Sequence, residues 1–147
     1  MKKVCLLVCL SLMMVSTACA DVKTPISTNE LSVEIKGYIS THFPEQKIIQ
    51  AIQERDNLRT SVEVLLDNRI EVTFNKNGRV REVESKLPGQ ALPNSVIPAP
   101  ILAYVQEKFP AAVITTWELD GRRQKVELST DLELEFDLQG NFVRIDD

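Results

Sequence analysis

The chain has 147 residues, a formal charge of −4 and a single histidine, His42. An acidic balance without a run of Lys or Arg excludes a nucleic-acid binder, which must displace counterions with clustered cations. One histidine excludes a multi-histidine metal centre. The three cysteines, Cys5, Cys9 and Cys19, all precede residue 20, so the rest of the chain carries neither thiol nor disulfide chemistry.

Residues 1–20 read as a signal peptide. Lys2 and Lys3 form a positive start, Val4 to Val15 an apolar stretch, and Ala18-Cys19-Ala20 a small-residue site cut between Ala20 and Asp21. The apolar stretch falls short of the roughly 18 residues that span a bilayer, and no later segment approaches that length. In the alternative reading Cys19 bears lipid and anchors a lipoprotein. Either way the chain is expected to be exported, periplasmic or secreted. Without Lys2 and Lys3 the formal charge of −4 becomes −6.

Residues 21–29 read as a polar lead-in. Leu31, Ile35, Tyr38 and Ile39 then follow the i, i+4, i+7, i+8 spacing of a helix face. Ser27-Thr28-Asn29-Glu30 offers a capping box ahead of it, and Phe43-Pro44 ends it, because proline disfavours helical geometry in its predecessor. Strands are predicted near 47–54, 60–66, 69–75 and 79–84, with Asp67-Asn68 and Asn77-Gly78 at turns. Residues 85–96 form a Pro/Gly-containing linker. A second helix begins around Pro98–Pro100, where proline is tolerated in the first turn, and its apolar face is Ile97, Ile101, Tyr104, Val105 and Phe109. Strands near 112–120, 123–130, 131–137 and 141–146 follow.

The second set of elements echoes the first. Ile35, Tyr38, Phe43 and Pro44 recur 66 positions later as Ile101, Tyr104, Phe109 and Pro110. Ile70-Glu71-Val72-Thr73-Phe74 returns as Leu132-Glu133-Leu134-Glu135-Phe136. The expected architecture is therefore α+β: two tandem repeats, 30–84 and 97–147, each one helix packed on a four-stranded antiparallel sheet.

Strand alternation assigns faces. Val62, Val64, Ile70, Val72 and Phe74, with Val126, Leu128, Leu132, Leu134 and Phe136, point toward the helices. Glu63, Glu71, Thr73, Lys125, Glu127, Glu133 and Glu135 point away, making a polar, predominantly acidic face. Trp117, the only tryptophan, has Ala51 as its counterpart; it is either core or an exposed interface anchor, a role in which Trp is enriched. The candidate partner-binding residues are thus Glu63, Glu71, Trp117, Lys125, Glu127, Glu133 and Glu135. No G-x-S-x-G, S-x-x-K, H-E-x-x-H or calcium-loop pattern occurs.

The unit running from Leu31 through Tyr38-Ile39, Phe43-Pro44 and a Val-rich hairpin to Phe74-Asn75-Lys76-Asn77-Gly78 resembles the PepSY-like repeat of secreted, β-lactamase-inhibitor-like proteins. The second copy is more similar still, with Ile97-Pro98, Phe109-Pro110 and Phe136-Asp137-Leu138-Gln139-Gly140; Ser32 and Asn75 stand where the pattern has Pro and Asp. The resemblance implies a sheet surface presented to a target, with no catalytic residues and no cofactor to carry over. The expected function is an exported, non-enzymatic protein, an inhibitor or regulator, that binds an unknown protein or peptide, a basic one given the acidic face. The rival readings are a small hydrolase using His42 or the sheet carboxylates, and a passive envelope protein binding small ligands or cations.

Overall fold

The structure, a computed structural model, describes residues 22–56 and 58–146; the leader and its cleavage site lie outside them. The elements in chain order are β1 (Val22–Pro25), α1 (Val33–His42), β2 (Ile48–Arg55), β3 (Thr60–Leu66), β4 (Ile70–Asn75), β5 (Val80–Ser85), α2 (Ala99–Lys108), β6 (Ile114–Asp120), β7 (Arg123–Leu128), β8 (Glu133–Phe136) and β9 (Phe142–Asp146).

All nine strands form one antiparallel sheet in sequence order, which overturns the expected α+β pair of four-stranded sheets. The join is β5 against β6, with Glu82 opposite Glu118, Val83 opposite Trp117 and Glu84 opposite Thr116. Two separate sheets would each have left a buried-side edge with unpaired N–H and C=O groups, and pairing those edges satisfies both. The linker folds back to allow it. Leu92 and Val96 are buried, the Leu92 N–H donates to the Ile114 carbonyl, and Gln90 Nε2 donates to the Asn68 carbonyl. The ninth strand comes from Val22–Pro25, which extends the sheet beyond β2 instead of remaining a lead-in.

Both helices lie on one face. Leu31, Ile35 and Ile39 from the first helical segment, and Ile97, Ile101 and Val105 from the second, are buried against the strand residues Val64, Val72, Phe74, Val126, Leu134 and Phe136. Tyr38 meets Phe74 edge-on at 5.5 Å and 84°, and Tyr104 meets Phe136 with the same distance and angle. The capping box at Ser27 and Glu30 closes a short 3-10 turn rather than α1, whose own cap is Ser32 accepting from the Ile35 N–H.

The closing turn of each repeat explains the aromatic-Asp-x-x-Gly pattern. Asp137 Oδ1 accepts the N–H groups of Gln139 and Asn141, and Asn75 Oδ1 accepts those of Asn77 and Arg79. Asn thus serves for the two backbone N–H groups, which need one accepting oxygen, while Asp137 also accepts from Asn141 Nδ2 with its second oxygen. Gly140 sits at φ +84°, and a Cβ there would stand 2.9 Å from the Pro100 Cβ; Gly78, at φ +71°, meets Glu34 in the same way. The turn therefore docks on the first turn of the helix, and only glycine permits both the left-handed backbone and the approach.

Candidate binding face

The face of the sheet opposite the helices carries an uninterrupted polar row. Following the register, Glu63 faces Thr73, Thr73 faces Glu82, Glu82 faces Glu118, Glu118 faces Lys125, Lys125 faces Glu135 and Glu135 faces Arg144. The next row runs Glu71, Glu84, Thr116, Glu127, Glu133 and Asp146. Six of the seven candidate residues therefore lie on one continuous surface. Trp117 does not: it is 6% exposed, on the helix side, beside Val83 at the join, where Nε1 donates to Gln124 Oε1 at 3.1 Å. It belongs to the core, and its mismatch with Ala51 reflects position, because β6 borders the join whereas β2 borders the outlying β1.

Ion pairs neutralise much of the acidic face. Glu135 holds both Arg123 and Arg144 and is itself buried. Lys125 bridges Glu133 and Asp146, which keep its ammonium charged to well above the ordinary lysine range. Lys86 joins Glu71 and Glu84, and Lys23 joins Glu54 and Glu63. Burial, together with a hydrogen bond shared with Glu54, raises the Glu63 pKa despite Lys23.

Among the described residues Glu82, Glu118 and Glu127 make no ion pair, although Lys125 stands opposite Glu118 and the Lys86 charge is felt at Glu82, and they surround the join. Burial first, and then the neighbouring Glu118 and Glu84, hold the Glu82 carboxyl above its usual range. A depression of about 190 Å³ opens here, lined by Glu82, Glu84, Thr116, Glu118, Lys125, Glu127 and Glu133. It continues toward Asp56, Leu58, Arg59 and the turn at Asn75–Asn77 as a groove of about 500 Å³. Glu82 and Glu118 were missed by sequence reasoning. Alternation alone places each outward, but only the β5–β6 pairing makes them neighbours.

No group of three or more His, Cys, Asp or Glu side chains among the described residues is arranged to hold a metal ion. His42 is at the end of α1, its ring tilted 39° against that of Tyr38 with centroids 4.4 Å apart, and its Nδ1 is buried and unbonded. It lies on the helix side of the sheet, away from the outward carboxylates. No helix among the described residues is long and apolar enough to cross a membrane.

The chain matches the family described as "Putative beta-lactamase-inhibitor-like, PepSY-like" over residues 18–82 and again over 60–144. A crystal structure described as "a putative calcium-regulated periplasmic protein" from Bacteroides thetaiotaomicron is 34% identical, with a TM-score of 0.78, covering 85% of this chain and 97% of its own. A crystal structure described as "a putative periplasmic protein from DUF2874 family" from Bacteroides vulgatus is also 34% identical, with TM-score 0.78 and coverage of 87% and 99%. A second Bacteroides vulgatus structure, described as "a putative periplasmic protein of unknown function", is 29% identical at TM-score 0.78 and 87% and 100% coverage. No curated protein matches at a significant level.

Proposed function

The chain belongs to the PepSY-like family, and on that footing we propose that it is an exported, non-enzymatic protein that binds a basic protein or peptide segment through the open face of its sheet. The observation that carries this reading is the facing pair Glu82 and Glu118 at the join, neither of which makes an ion pair among the described residues, although Lys125 stands on the other side of Glu118. Like charges placed directly opposite on adjacent strands repel. An arriving Lys or Arg would relieve that repulsion, so the join gains more from a cation than any already paired part of the face. Glu127 adds a third carboxylate without an ion pair, and these three steer a basic partner; Glu63, Glu71, Glu133 and Glu135 border them already paired with cations.

Export rests on residues 1–20 acting as the signal peptide, released between Ala20 and Asp21, and on the periplasmic description of the structural neighbours. Mass spectrometry of the exported chain decides between an Asp21 start and a lipid-bearing Cys19. The binding proposal is tested by capture from the native envelope fraction with the exported protein, followed by stopped-flow association at two salt concentrations. Glu82→Gln with Glu118→Gln should slow association and flatten its salt dependence. Unchanged association would remove this face from the binding reaction.

A further inference from the structure

The sheet has two outer edges, β1 and β9, and they are built differently. An edge strand presents a row of unpaired N–H and C=O groups, which proteins ordinarily protect with short strands, lysine and proline. β1 has these protections: four residues, Lys23 and Pro25. β9 has neither lysine nor proline, and it exposes Phe142, Val143 and Ile145 by 38%, 41% and 45%. Among the described residues no strand pairs with its outer side.

We propose that this edge is an interface between two copies of the chain, with β9 pairing antiparallel to the β9 of a second copy about a twofold axis at Ile145. The charges on the strand select the register. Arg144 and Asp146 flank Ile145 on the open face, since their β8 partners are Glu135 and Glu133. Centring the pair on Ile145 sets each Arg144 opposite the other copy's Asp146, twice by symmetry. Centring on Arg144 would set two guanidinium groups face to face, and centring on Asp146 two carboxylates, both of which repel. An intermediate shift of one residue would turn the second copy over and mix its apolar and polar faces with those of the first. Of the registers centred on Arg144, Ile145 and Asp146, that on Ile145 gives opposite charges across the axis, beside the ion pairs that Arg144 and Asp146 already make within the chain, and brings the two exposed Ile145 side chains together with both pairs of helices on one side. Such a contact is self-complementary and closes at two copies.

Sedimentation velocity of the purified exported protein over a range of concentrations tests the pairing, together with amide exchange along β9. The expected result is a monomer–dimer equilibrium in which β9 amides gain protection as concentration rises. Ile145→Lys should weaken the dimer by about tenfold or more, because it brings two ammonium groups together at the axis, without moving the thermal midpoint at concentrations where both proteins are monomeric. Val33→Lys, at an exposed position on α1, should associate like the wild type. The exchange measurement on the wild-type chain reads the interface even if Ile145→Lys does not fold. A wild-type monomer at every concentration would overturn the proposal and leave the edge to a peptide strand. Full dimerisation of Ile145→Lys, or protection gained on β1 in place of β9, would overturn it equally.

Discussion

Glu82 on β5 stands directly across from Glu118 on β6, so the one strand pairing that joins the two halves of the sheet carries two facing carboxylates. Tyrosine, tryptophan or an opposite charge would stabilise such a cross-strand position, whereas two acids cost stability there. The cost marks the join as the place where stability and binding are in tension.

Replacing Glu82 by Gln should therefore stabilise the free protein at pH 7 by up to about 1 kcal/mol. The Glu82 pKa is raised in the folded chain, chiefly by burial and then by Glu118 and Glu84. At low pH the group is protonated in both folded and unfolded chains and costs nothing. As pH rises past the ordinary value of 4.5, the unfolded chain ionises first and the fold loses stability until the folded-state pKa is passed. The gain from Glu82→Gln should accordingly be present at pH 7 and gone by about pH 3, which urea unfolding at the two pH values measures.

Glu133 and Glu135, two residues apart on one strand, should behave differently. The Glu135 side chain is 8% exposed and holds two arginines, whereas that of Glu133 is 40% exposed and shares Lys125 with Asp146. Glu135→Gln should cost about 1–3 kcal/mol through lost charge-assisted hydrogen bonds. Glu133→Gln should stay within about 0.5 kcal/mol. Equal unfolding midpoints for the two variants would show that the arginine clamp contributes nothing.

Phe74 and Phe136 are fully buried at matching positions, each with a tyrosine edge against it. Phe74→Ala and Phe136→Ala should each cost about 3–5 kcal/mol, measured by denaturant unfolding.

Trp117→Phe keeps an aromatic ring at the join but removes the donor to Gln124 Oε1, a buried acceptor. The expected loss is about 1–3 kcal/mol of stability, with no change in the rate at which a partner dissociates from the open face. A faster dissociation with unchanged stability would return Trp117 to the surface.

Gly140→Ala should destabilise by more than about 1 kcal/mol, because its backbone is left-handed and a Cβ would press on Pro100. Thermal unfolding of Gly140→Ala beside Gly37→Ala, where a Cβ meets nothing within 4 Å, checks that the loss comes from docking on the helix.

Much of the local structure is legible in the amino-acid order. The i, i+4, i+7 spacing of Leu31, Ile35 and Tyr38 exposes a helix, and the alternation of Val62, Val64, Val72 and Phe74 exposes strands and the side they bury, since period and burial are properties of consecutive residues. The same alternation places Glu63, Glu71, Glu127 and Glu133 outward. What consecutive residues cannot express is which strand edges meet. The single sheet, the incorporation of Val22–Pro25 as its outermost strand, the burial of Trp117 and the facing of Glu82 and Glu118 all follow from one long-range pairing, β5 with β6, and from β1 closing on β2. That pairing satisfies backbone groups that every residue carries, so beyond the Trp117–Ala51 mismatch the side-chain pattern leaves little trace of it. The sequence alone determined the elements and their faces; the tertiary structure decided how the two halves fuse and that Glu82 and Glu118 meet across the join.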